Sequence, residues 1–89
     1  MAADVAARMR ERLATLEPET VDVVDESGKH IGHEGAKGGG GHYQLVIVSP
    51  RFAGVTRQGR HRMVYQALGN MMQHEIHALA IQAFAPDEL

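Results

Sequence analysis

Val5, Met9, Leu13 and Leu16 fall at i, i+4, i+8 and i+11, a single apolar stripe along a helix, with Arg8, Glu11 and Arg12 off it. Asp4 is placed to cap the start and Pro18 to close the segment, so the spacing predicts a helix over about 4–16. The pattern then changes period. Thr20 to Glu26 (TVDVVDE) is β-rich, with Val21 and Val23 on one face. His42 to Val48 (HYQLVIV) sets Tyr43, Leu45 and Ile47 against His42, Gln44, Val46 and Val48. Its second half is apolar on both faces, which predicts a central strand. Ser49-Pro50 stops it, PRFAG suits a short helical turn, and Gly54 ends that turn. A longer helix is expected from about Gly59, where Met63, Val64, Ala67, Leu68, Met71 and Met72 form one broad apolar face. These methionines read as core filler. His77 to Phe84 (HALAIQAF) reads as a buried third strand, closed by Pro86.

The expected order is helix, strand, strand, short helix, helix, strand. The first two strands make an antiparallel hairpin, and the helical crossover to the third suits a parallel pairing. Helices covering one face of a three-stranded mixed sheet give an α+β sandwich. Eighty-nine residues are enough for one small domain over 1–89, with no internal repeat or linker. With 44% apolar residues, four aromatics and no Trp, aliphatic side chains must fill the core.

Composition narrows the chemistry. The chain has no cysteine, which excludes disulfides, zinc–thiolate sites and an iron–sulfur cluster held by this chain alone. No stretch approaches the ~18 apolar residues that span a bilayer, and the N-terminus lacks a signal-peptide core. A soluble cytoplasmic protein is expected. The net charge of −2 is unevenly spread. Acidic residues crowd Glu17 to Glu26, whereas Ser49 to His74 contains none and holds Arg51, Arg57, Arg60 and Arg62. Such a local basic patch attracts phosphate or an acidic partner, or is a solvated helix face.

Candidate ligands cluster in DESGKHIGHEGAKGGGGHYQ, where His30, His33 and His42 surround four glycines. About 15 residues separate the two hairpin strands, against the usual 2 to 5. HxxH at His30 and His33 has metal-ligand flavour. HEIH at His74 to His77 misses the zinc-protease spacing, and a helix-to-strand break near Ile76 points its rings apart. The glycine run lacks the flanking elements and Lys-Ser/Thr of a phosphate loop and supplies backbone freedom instead. Ser27 and Ser49, the only serines, sit in no nucleophile pattern, and no enzyme is expected.

VVDESGKH, HYQLVIVSPRFAGVTRQGRHRMVYQALG and IHALAIQAFAPDE together resemble the BolA family, over about Met9 to Glu88. The resemblance implies a fold like a class II KH domain, order α-β-β-α-α-β. It implies pairing with a monothiol glutaredoxin in the binding and transfer of a [2Fe–2S] cluster, in cluster maturation and iron homeostasis. Glutaredoxin and glutathione would supply sulfur, and this chain imidazoles, as one iron of a Rieske centre takes histidines. The implied ligands are His77, in HALA, and His30, in ESGKH, with His33 in reserve; His42 belongs to the strand and His61 supports the helix. The chain alone would be a monomer, and a heterodimer with its partner. The alternative is a DNA-binding, stress-linked transcription regulator using Arg57, Arg60 and Arg62 at the helix start. The interhelix segment Gly54 to Gly59 has four residues between its glycines, where a KH clamp has two.

Overall fold

Alanine-rich sequence starts the chain, and helix propagates through it readily. In the computed structural model, which describes residues 2–26 and 41–89, helix α1 spans Ala2–Leu13. It tightens into a 3-10 turn over Ala14–Leu16 and is broken by Glu17, in the left-handed region at φ 52°. The expected cap at Asp4 is thus corrected: the alanines carry the helix back to residue 2, and Asp4 lies within its first turn. The predicted stripe is intact, with Met9, Leu13 and Leu16 buried and Val5 packed against them.

Strands β1 (Thr20–Asp25), β2 (Gly41–Val48) and β3 (Ile76–Phe84) form one sheet in the order β1-β2-β3. β1 is antiparallel to β2, with Val21 opposite Ile47 and Val23 opposite Leu45. β3 is parallel to β2, with Leu45 opposite Ile81 and Ile47 opposite Ala83. β2 is therefore central, as its double-sided apolar half predicts. β3 is not buried on both faces: His77, Ala78, Ala80 and Gln82 are exposed. It is an edge strand packed on one side only, so the apolar run HALAIQAF is read by small alanines on its open face.

The crossover from β2 to β3 begins with Ser49, whose hydroxyl accepts from the Arg51 N–H and donates to the Leu16 carbonyl at 2.6 Å. Its own N–H bonds the Phe84 carbonyl, so one buried serine ties the end of the first helical segment to two strand ends. A 3-10 turn over Pro50–Phe52 follows and drops Phe52 into the core. Helix α2 spans Arg57–Leu68, two residues earlier than expected, because Thr56 caps it by accepting from the Gly59 N–H at 3.0 Å. Gly59 is thus a first-turn residue and not a loop glycine. A Cβ there would come within 2.8 Å of Val55. Gly69, at φ 60°, ends α2 and leads into the 3-10 turn Gly69–Gln73 that buries Met71. Arg12 reaches from α1 to cap this end, donating to the Leu68 carbonyl at 2.9 Å and to Asn70 at 3.2 Å.

Both helices lie on one face of the sheet. Met9 and Leu13, Val64 and Leu68, and Tyr43, Leu45, Ile47, Ile76 and Ile81 join a single hydrophobic cluster. Among the described residues, no helix is long and apolar enough to cross a membrane.

Candidate metal centre

A parallel pairing of β2 and β3 puts the beginnings of both strands at the same end of the sheet, and each carries a histidine as its second residue. The register is irregular there. Gly41 pairs with Ile76, but the next residue, His42, pairs with Ala78, leaving His77 as an extra residue. This bulge decides where His77 points. Leu79, Ile81 and Ala83 alternate toward the helices, and strict alternation would send His77 the same way. The bulge gives that inward place to Ile76, which is 1% exposed, and turns His77 out to solvent.

His42, half-buried, stands on the face of β2 away from the helices, in line with Gln44. Its ring centroid is 5.2 Å from that of His77, with the rings tilted by 33°. Backbone bonds brace both positions. The Glu26 N–H donates to the His42 carbonyl at 2.7 Å, and the Gly41 N–H to the Glu75 carbonyl at 2.8 Å. Glu75 itself is ion-paired with Arg8. Its own backbone N–H and that guanidinium hold its carboxyl below the usual carboxylate range.

Among the described residues, the chain leaves this sheet end at Glu26 and is described again from Gly41. His30 and His33 lie between these two in the sequence, outside the described residues. Among the described residues, no group of three or more His, Cys, Asp or Glu side chains could hold a metal ion. What the fold presents is two imidazoles and no thiolate, a partial donor set. His74 and His77 are separated by the junction into β3, as expected. His42 was legible as a strand residue, but its meeting with His77 depends on the parallel register; a histidine heading each of two parallel strands was the available signal.

The basic stretch resolves differently from its linear pattern. Arg51 pairs with Glu17 at 3.0 Å. Arg60, at 12% side-chain exposure, donates to the carbonyls of Val55 at 2.8 Å and Ala83 at 3.0 Å and grips both carboxylate oxygens of Glu88 at 2.6 Å. Those bonds hold Glu88 from 4.5 down to about 2, with the Arg60 hydrogen bond the main cause and the Ala85 N–H the next. Arg60 thus acts as an internal staple and is not available as an open phosphate ligand. Arg57 and Arg62 are exposed on α2. Arg57 borders an open groove of about 530 Å³ between α2 and β3, with Val55, Ile81 and Phe84 along it. Ser49, one of the two serines, is committed to the structural bonds above.

Comparison with known proteins agrees with this architecture. The family model for BolA-like protein matches residues 13–88. BolA-like protein 1 of Mus musculus is 40% identical over 86 residues, covering 96% of this chain and 61% of its own length. The DNA-binding transcriptional regulator BolA of Escherichia coli K12 is 35% identical over 85 residues, covering 94% of this chain and 78% of its own. The chain therefore spans about three fifths of the mouse relative and a larger share of the bacterial one. The solved structure of BolA1 from Arabidopsis thaliana superposes with a TM-score of 0.80 at 40% identity, covering 94% of both chains. With the sheet order, the helix placement and nearly the whole sequence in agreement, the chain belongs to the BolA-like protein family.

Proposed function

We propose that this protein is a non-enzymatic adaptor that binds and passes on a [2Fe–2S] cluster in company with a monothiol glutaredoxin and glutathione, in iron–sulfur maturation and iron homeostasis. The observation that carries the reading is His77, turned outward by a bulge at a sheet end where a second imidazole stands 5.2 Å away. Neutral imidazole is a good ligand for iron, and a [2Fe–2S] centre accepts histidine on one of its irons. The chain has no cysteine, so the thiolates come from the partner. Family membership supports the same reading.

The test is reconstitution of the cluster with a monothiol glutaredoxin and glutathione, followed by visible circular dichroism. His77→Ala is expected to abolish the spectrum of the mixed complex or change it strongly. A spectrum identical to wild type removes His77 from the ligand set.

A second reading is DNA binding and transcriptional regulation, favoured by the name of the Escherichia coli relative and by Arg57 and Arg62, exposed on α2. Under that reading, Arg57→Glu with Arg62→Glu weakens binding. Affinity also falls with salt by about 0.9 log unit per log unit for each phosphate neutralised. Duplex binding that survives the double substitution makes this surface a solvated helix face.

A further inference from the structure

We propose that His42 and His77 together grip a single transition-metal ion, and that His42 is the second imidazole of the cluster site. The second half rests on the adaptor reading above; the first half does not. Two imidazoles bound to one tetrahedral ion at a metal–nitrogen length of about 2.0–2.1 Å have ring centres roughly 5 Å apart. The two rings here stand at 5.2 Å.

Three further features fit a ligand pair better than incidental packing. The bulge takes His77 out of the inward row and brings its ring beside that of His42. Both residues sit on paired strands braced by the Glu26–His42 and Gly41–Glu75 backbone bonds, so the donors are carried on rigid backbone. The carboxylate of Glu75, two residues before His77 in the chain, is engaged by Arg8, which leaves imidazole as the donor type. A two-imidazole set suits iron, zinc, nickel or copper, and on a tetrahedral ion it leaves two positions for ligands brought by a partner. The family resemblance points instead to His30 as the companion of His77, so the two assignments can be separated.

The experiment titrates the isolated full chain with Zn²⁺. Calorimetry measures binding, and nitrogen-15-edited NMR follows the histidine ring signals. One ion per chain is expected, with the rings of His42 and His77 shifting together and those of His61 and His74 unmoved. The wild-type ring shifts need no variant. His42→Gln and His77→Gln, each checked for an unchanged fold by far-ultraviolet circular dichroism, are expected to weaken binding at least tenfold. The double variant His30→Gln/His33→Gln is expected to keep wild-type affinity. Zinc binding that survives His42→Gln, or that depends equally on His30 and His33, overturns the pair.

A second arm uses the complex with glutaredoxin and glutathione. If zinc behaves as expected and wild type forms no cluster, the cargo assignment fails and the pair stands. If the cluster forms and His42→Gln leaves its visible spectrum unchanged, the pair's role as cluster ligand fails.

Discussion

Arg60 shows how one side chain can answer for a whole region. Its guanidinium is held by two carbonyls and a carboxylate from three separate segments, Val55, Ala83 and Glu88, and lies 6.0 Å from the Phe52 ring centre. The clamp carries a pH signature. A carboxylate whose folded value is depressed stabilises the fold above its unfolded value and stops doing so as pH falls toward the folded one. Glu88 moves from 4.5 to about 2, so its contribution is complete above about pH 4.5 and is lost between there and about pH 2. Glu88→Gln is therefore expected to melt below wild type at pH 6, with the gap closing as pH drops through that window. Thermal melts of both proteins from pH 6 to pH 2.5 check this; a constant gap means that the charge of Glu88 is not what stabilises.

At the level of elements, the junctions hold most of the information that periodicity lacks. Gly69 ends α2 at φ 60°, ψ −133°, a conformation that costs an L-residue about 1–3 kcal/mol, and a Cβ there would stand 3.1 Å from the Arg12 guanidinium that caps the helix. Gly69→Ala is expected to lower the unfolding free energy by about that much, read as a fall in the urea midpoint at unchanged slope. The stripe on α1, the one-sided Val21 and Val23 of β1, the central place of β2 and the parallel crossover were all legible, because burial imposes a period on each. The start of α1 was not, since helix propagation through alanine outran the capping signal at Asp4. Thr56 likewise began α2 before Gly59. The exposure of β3 was hidden because Ala78 and Ala80 look apolar whether or not anything covers them. His77 was found in the sequence through its motif. Its orientation was not, because a bulge is a property of two strands and appears in neither alone. The pairing of Arg60 with Glu88, 28 residues away, closed a charge gap that looked open along the chain.

Taken whole, the molecule presents imidazoles and no thiolate, and this constrains what it can do unaided. A [2Fe–2S] centre needs thiolate on at least one iron, and no residue of this chain supplies it. Anaerobic incubation of the isolated protein with iron and sulfide, with no partner or added thiol, is expected to leave it colourless. A stoichiometric cluster that survives desalting contradicts the shared-ligand assignment. The same end of the sheet that carries His42 and His77 lies apart from Arg60 and Glu88, near the other end of β3. The metal reading and the basic-surface reading can thus be dissected by substitutions that do not share a neighbourhood.

The bulge has a second effect, on association between copies. β3 is an edge strand, and a straight edge invites another chain to pair with it. Here the run of regularly spaced backbone groups is broken at Ile76–His77, and at the far end the outward Ala83 carbonyl is taken by Arg60. Between these two points lies the middle of the strand, around Leu79 to Ile81. Removing one guard should lengthen the open template: Arg60→Leu is expected to aggregate faster than wild type at equal stability, followed by light scattering at matched fraction folded. The irregularity that aims a histidine outward thus also works against fibre growth.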